Sequence, residues 1–490
     1  MLEREILVIF LSFFVHQTID HTISQPYNTI RIRNIQDGDI LNPDNKIYLF
    51  EEMPVPRAIA TLSIPTILSS LVMVIYNVAD TFFVGMINDP VQNAAVTLAA
   101  PVLLAFNAIN NLFGVGTSSM MSRAMGKHDY ELVRKSSAFG FYCTLFFALC
   151  FSFFSTVFKG PLLSLLGSDS VTYNATAQYM FWTVSFGAVP AILNVVMAYM
   201  VRSEGAALHA SIGQMSGCIL NMFLDPLFIL VFKMGASGAG LATFISNCAA
   251  CLYFLLLIRK KSGNTYVCLS LKKFGFSRIV ILGIFAVGIP ASIQNLLNVT
   301  SMTILNNFTS SYGATVVASM GIAQKINQVP MMIALGYSNG MMPFVSYNYA
   351  AKKGKRMKEG ILFVAKTMLP MLVCTSLLCL LLSENLVRIF MDNPDIIHYG
   401  SAFLRGFCLG MPFICADFLG VGVYQAIGKG QFSLAFAISR KIILEIPFLF
   451  LLGYLFPLYG LAYAQFATEF ILSIAAFFML TRILKRVSND

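Results

Sequence analysis

Charge is what this sequence has least of. Asp, Glu, Lys and Arg together make up 11% of its 490 residues, against 57% hydrophobic ones, whereas soluble domains are about a quarter charged. That scarcity excludes a water-soluble fold, because there is too little polar surface to cover so much apolar chain. Catalytic constellations are missing as well. With only 5 scattered histidines, no H-E-x-x-H, and no G-x-S-x-G in a suitable setting, neither a metallohydrolase nor a serine hydrolase is indicated, and a membrane-embedded enzyme lacks support. No filter-like segment suggests a passive channel. The 10 cysteines fall mostly inside apolar runs and read as small buried hydrophobes rather than metal ligands or redox pairs.

What the chain does have is long apolar runs, and a helix needs about 20 residues to cross a hydrocarbon core roughly 30 Å thick. Polar breaks separate about twelve such runs, at roughly 58–86, 94–118, 136–158, 177–201, 209–232, 239–258, 278–306, 315–345, 361–383, 396–426, 431–453 and 461–481. Helices are favoured over a barrel because each run is continuously apolar and a helix satisfies its own backbone in lipid. The expected fold is therefore all-α and integral to the membrane, in two pseudo-symmetric six-helix lobes.

The net charge of +10 would suit a nucleic-acid partner, but the basic residues sit in alternate loops. Arg123, Lys127, Arg134 and Lys135 follow the second run. Arg259, Lys260, Lys261, Lys272 and Lys273 follow the sixth, Lys352, Lys353, Lys355, Arg356 and Lys358 the eighth, and Arg482, Lys485 and Arg486 the last. The intervening loops hold little beyond Lys159, Lys233 and Arg388. This pattern places both ends of the chain in the cytoplasm and makes the bilayer, not nucleic acid, the partner of the charge.

Residues 1–50 differ in kind. The apolar run Ile6 to Val15 is too short to span, Glu3 and Glu5 flank its single Arg4, and no small-x-small site follows. A disordered or interfacial extension, or a start placed too far upstream, is expected rather than a cleaved signal. The remaining divisions are an N-lobe at 51–262, a linker at 263–277 and a C-lobe at 278–490.

The halves are related by a repeat of about 220–225 residues. Ile64-Pro65 opens the first run and Ile289-Pro290 the seventh. Gly114 and Gly116 close the second run ahead of Ser122-Arg123 and Gly126-Lys127, as Gly336 and Gly340 close the eighth ahead of Ser346 and Lys353-Gly354-Lys355. Gly187 and Pro190 in the fourth are matched by Gly410 and Pro412 in the tenth. With an even number of helices per half, the copies share orientation and are related by an axis along the membrane normal. A cavity between them could open alternately to either side, the geometry of a transporter.

Each charge inside a span costs about 2.5–3.5 kcal/mol on insertion scales and so marks function or a partner. Four carboxylates stand out: Asp80, Asp225, Asp417 and Glu445, with Lys325, Arg440 and Lys441 as basic counterparts. Asn221 and Asp225 share a helix face at i,i+4, and Pro226 removes a backbone donor near Asn221 and Met222. Freed carbonyls, an amide oxygen and a carboxylate suit Na⁺, and the carboxylate equally suits a proton. The other reading is an Asn/Asp pair knitting helices together. Tyr76 and Asn77 extend a polar stripe to Asp80. Tyr76, Asn194, Met197, Gln324 and Asp417 are candidates to line a substrate cavity, although Asn194 and Gln324 would serve as well as helix-helix glue. The 25 methionines and 43 phenylalanines offer adaptable apolar contacts.

In their order along the chain, Ile64-Pro65, Tyr76, Asp80 and Gly85, Asn221 to Pro226, Gly238-Ala239 and Thr243 resemble the multidrug and toxic compound extrusion (MATE) family. The entry Phe50-Glu51-Glu52-Met53-Pro54-Val55 is similar to its MepA-like bacterial branch. The resemblance covers nearly all of residues 48–486. It implies a V-shaped pair of lobes in a bacterial plasma membrane, acting as a monomer without a bound cofactor. It implies antiport of cationic, amphipathic drugs against H⁺ or Na⁺. It also implies an N-lobe cation site at Asp80, Asn221, Asp225, Ala239 and Thr243, with Na⁺ a possible occupant at the Asp80, Asn221, Asp225 and Thr243 side chains. Family members that use a carboxylate in the seventh span have no counterpart here between Gly283 and Asn306. The alternative within the same superfamily is a flippase for lipid-linked precursors, which would need several arginines in the cavity.

Overall fold

The computed structural model describes residues 43–87 and 89–489, and every regular element among them is helical. Twelve long helical segments follow one another: Val55–Gly85, Pro90–Gly126, Tyr130–Val157, the bent pair Tyr173–Phe186 and Ala188–Ser203, Ala207–Val231, Gly235–Lys260, Arg278–Ser310, Ala314–Ala350, Gly354–Leu381, Pro394–Ala426, 430–455, and Gly460–Asn489. They are called spans one to twelve below. Nine are individually long and apolar enough to cross a membrane, and the pair bent by 46° makes ten. The other two, spans eight and eleven, carry Gln324, Lys325 and Asn327, and Arg440, Lys441 and Glu445.

Helix starts follow local chemistry. The Asp89 side chain accepts from the Val91 N–H with Pro90 at the first helical position, Asp129 caps Leu132, and Asn393 caps Asp395 and Ile396 ahead of span ten. The repeat is written into the turns. Left-handed residues recur at His128 (φ 56°) and Lys352 (φ 56°), at Gly205 (φ 92°) and Gly428 (φ 78°), and at Lys233 (φ 53°) and Leu458 (φ 73°). Each pair lies within a residue or two of the spacing that separates Pro65 from Pro290, so the same connections are built twice. Wide π-helical turns also recur, at Leu227–Val231 in span five and Ser439–Glu445 in span eleven.

The two halves meet through span one on span eight and span two on span seven, the crossed pairing expected of a two-fold axis. The contact is close because small residues line it. A Cβ on Gly336 would lie 2.7 Å from the Cα of Ile67, and one on Gly340 would lie 2.5 Å from the Cα of Ser63. One on Gly288 would fall on the carbonyl oxygen of Leu112, and one on Gly126 on that of Tyr347. Burial is concentrated toward the basic loops. Apart from Val84, the buried residues of span one lie between Val55 and Val74, and in span seven, apart from Ser301 and Thr309, between Val280 and Ala291. The lobes therefore join at the basic-loop face and diverge toward the other. Gly288→Ala should destabilise this joined form by about 1–3 kcal/mol, because the obstacle is backbone and no rotamer relieves it. A thermal unfolding midpoint equal to that of the wild type would contradict that close approach.

One expectation is corrected here. Residues 43–50, assigned to an extension, form part of the helix Pro43–Glu51, whose Lys46, Leu49 and Phe50 are buried. Their burial among side chains distant in sequence is what an isolated reading of a polar stretch misses. The expectations for residues 1–42 lie outside the described residues. Cys248 and Cys251 do stand in C-x-x-C spacing, yet both are free thiols, and no group of three or more metal-ligating side chains converges among the described residues.

Candidate functional site

Span five supplies the centre of the site. Asn221 and Asp225 lie on one face of its helix, one turn apart, and both are buried. Span one packs along that face and brings Asp80 opposite Asp225, with the two carboxyl groups at hydrogen-bonding range of each other. Span six closes the third side. The Thr243 hydroxyl donates to the Ala239 carbonyl at 3.0 Å. With its amide nitrogen turned to Asp225, Asn221 donates to Oδ2 at 2.6 Å and accepts from the Thr243 backbone N–H at 3.1 Å. All five residues singled out from the sequence are thus brought together on three helices.

Pro226 acts differently from expectation. The helix continues through Asn221 and Met222, and the departure follows the proline, where the turn widens over Leu227–Val231. With the proline more than a turn before the end of span five, the segment ahead of it stays regular enough to hold Asn221 and Asp225 in register, and the departure from α-helix falls after it.

Tyr76 faces the carboxylate pair from span one, and Tyr179 faces it from span four. Tyr179 escaped sequence reasoning because it sits in an ordinary apolar run, and its nearest signal, the wide turn at Phe181–Phe186, is not legible from residue types. Asn194 does not line a cavity. Its amide donates to the Asn247 oxygen at 2.9 Å, and Asn247 in turn donates to the Thr243 carbonyl at 2.9 Å, so Asn194 braces spans four and six behind the site. Met197 is 0% exposed and belongs to the core, which removes it from the cavity candidates in this conformation. Gln324 is half-buried and donates to Asn306 at 3.5 Å, a long contact between spans eight and seven.

Asp417 is also withdrawn from the cavity. It is buried and pairs with Arg440 at 2.8 Å. Arg440 in turn grips Glu469 of span twelve, a carboxylate absent from the sequence reading. Lys441 pairs with Glu445 at 2.6 Å, and Glu445 accepts from the Ser301 hydroxyl of span seven. The two lobes have diverged at comparable places. Spans four and six meet through the neutral pair Asn194 and Asn247, whereas spans ten and twelve meet through Asp417, Arg440 and Glu469.

The charge balance separates the two clusters. In the C-lobe, fixed cations answer the carboxylates. In the N-lobe, no lysine or arginine pairs with Asp80 or Asp225 among the described residues. Asp225 is buried and Asp80 part-buried, and two carboxylates in contact with so little water around them need a proton or a cation between them. The oxygens gathered here are those of the two carboxylates, the Thr243 hydroxyl and the Ala239 carbonyl, and the Asn221 amide meets Asp225 through its nitrogen. That set fits a hard monovalent cation as well as a shared proton.

Comparison with known proteins gives the chain its context. The MatE family profile matches twice, over residues 65–227 and 290–451, beginning at the two prolines that mark the repeat. Multidrug export protein MepA of Staphylococcus aureus strain MSSA476 is 30% identical over 448 residues, covering 91% of this chain and 98% of the relative. MepA of Staphylococcus haemolyticus is 29% identical over the same length. Among solved structures, an outward-facing multidrug resistance MATE family transporter of the MOP superfamily superimposes with a TM-score of 0.86 at 23% identity, over 91% of this chain and 99% of that one. A MOP superfamily transporter from Pyrococcus furiosus gives 0.84 at 24% identity, over 90% and 98%. At those identities the structures speak for the fold.

Proposed function

The chain belongs to the MATE family, and from that premise we propose that it exports small, amphipathic, positively charged molecules from a bacterial cell by exchanging them for H⁺ or Na⁺. The basic-loop face is cytoplasmic in this reading, so the described conformation has its lobes joined inside and parted outside. The observation that carries it is the pair Asp80 and Asp225, held face to face without a basic partner, with the Asn221 amide donating to Asp225.

An ion entering from outside binds between the two carboxylates and replaces the charge of a departing organic cation. Linkage then requires that whatever the ion adds to one conformation the substrate must lose, and the reverse. Asn221 orients Asp225 and is itself held by Thr243, while Asn247 and Asn194 hold Thr243 in place from behind. The export named for the staphylococcal relatives supports the same assignment. A flippase for anionic head groups is disfavoured because it would need several arginines in the cavity, and Arg440 of span eleven is already committed to Asp417 and Glu469.

The test is dye efflux from proteoliposomes under a pH gradient and, separately, under a Na⁺ gradient. Ethidium is expected to leave against its own gradient under one of the two. Absence of efflux under both would refute the assignment.

A further inference from the structure

The helix Pro43–Glu51 precedes the family match and has no part in the carboxylate site, yet it touches both lobes. On the N-lobe side it is held by a fully buried ion pair: Lys46 Nζ lies 2.8 Å from Glu204 Oε2, and both side chains are 0% exposed. The same ammonium donates to the Asn264 carbonyl at 2.8 Å and lies 5.0 Å above the Tyr266 ring. Glu204 is completed by the Thr265 hydroxyl at 2.6 Å and the Tyr266 N–H at 2.9 Å. Breaking such a pair would leave a charge buried alone, so this is the stronger of the helix's two attachments. The helix also runs directly into span one at Val55.

On the C-lobe side the contacts are of another kind. Phe50 stacks on Tyr347 with centroids 4.7 Å apart. Arg356 donates to the Phe50 carbonyl at 2.7 Å, capping the end of the helix. The Glu51 carboxylate takes the Tyr347 hydroxyl at 2.7 Å and the Lys353 ammonium at 2.6 Å, with His128 of the N-lobe at 3.5 Å. Burial opposes ionisation of Glu51, but Lys353 and Tyr347 outweigh it and hold the carboxyl below the usual carboxylate value. The charged partners Lys353 and His128 are open to water, at 37% and 53% exposed, so those contacts can exchange for solvent at small cost, whereas Phe50 and Tyr347 are buried and are uncovered only when the seam itself opens.

We propose that this helix is a latch. Anchored to the N-lobe by Lys46 and Glu204, it spans the basic-loop seam and clasps spans eight and nine through Glu51, Phe50 and Arg356. The seam opens only after those C-lobe contacts release. The proposal rests on the alternating-access reading above, because a seam that never opens needs no latch.

Hydrogen–deuterium exchange of the full chain in lipid nanodiscs tests it. Glu51→Gln and Lys353→Met should speed exchange roughly three- to tenfold across the seam backbone, residues 116–127 and 336–350, as expected for loss of one charge-assisted contact at a part-exposed site. The charge swap Glu51→Lys with Lys353→Glu should restore it. Acceleration confined to residues 43–53, no acceleration, or a swap that fails to restore the seam would each overturn the latch. Dye efflux by the same proteins separates the two readings. Normal efflux with an unaltered seam sinks the latch alone, whereas a wild type that moves no dye under either gradient sinks the transport assignment.

Discussion

Asp80→Asn and Asp225→Asn should each abolish ion-driven efflux while leaving the protein folded and in the membrane. Removing one carboxylate takes away the charge that must be neutralised by the incoming ion, and an amide at the same position keeps the volume and a hydrogen bond to its neighbour. Coupling free energies between ion and substrate are typically about 1–3 kcal/mol, roughly 5–150-fold in affinity, so loss of coupling should bring gradient-driven transport close to that of empty liposomes. Asn221 should show a weaker version of the same effect on conversion to Ala, because it orients Asp225 through the 2.6 Å contact without carrying charge. The measurement is initial ethidium efflux normalised to the amount of protein reconstituted. Efflux near the wild-type rate in both carboxylate variants would mean that the pair is structural.

The second large effect is one of stability. Arg440 is buried between Asp417 and Glu469, with all three side chains at most 6% exposed. Arg440→Met strands two carboxylates in the C-lobe, and breaking a buried pair costs about 3–5 kcal/mol. The variant should express poorly and lose much of its thermal stability in detergent. Adding Asp417→Asn and Glu469→Gln to Arg440→Met removes the stranded charges and should recover most of the loss, since a buried triad replaced by neutral groups is often near neutral overall. If the single variant melts with the wild type, the triad is not the tie between spans ten, eleven and twelve that the geometry describes. Its efflux separates fold from coupling: the triple variant should still transport, because the proposed ion site lies in the other lobe.

The contrast between the two carboxylate clusters shows where sequence reading stops. Asn221 and Asp225 were legible because they are four residues apart on one helix, and helical period is a property of the chain. Asp80 was legible as a lone charge in an apolar run. That it faces Asp225 was not, since residues on spans one and five are related only by how the helices pack. The same limit misplaced Met197 and Asp417. Both sit in spans that could line a central cavity, but side-chain direction on a bundle helix is set by its neighbours, and theirs turn them into the core and onto Arg440. Glu469 went unremarked although it stands in an apolar run, and its buried partner Arg440 lies 29 residues away. Residues 43–50 were misread for the reverse reason: a polar stretch outside any span looks solvated until Glu204 is found waiting for Lys46.

Membrane residence, the run of helices, their doubling and the alternating basic loops follow from the sequence alone. Hydrocarbon demands about 20 apolar residues per crossing, and that demand is written in local composition. The left-handed turns at His128 and Lys352, and at Gly205 and Gly428, repeat that doubling in the backbone. Only the tertiary structure decided which charges are answered and which are not. A carboxylate's partner is whatever packing brings within a few ångströms, and packing in a helical bundle joins residues separated by tens to hundreds of positions. It left Asp80 and Asp225 facing each other, bound Asp417 to Arg440, and set the helix Pro43–Glu51 across the seam between the lobes.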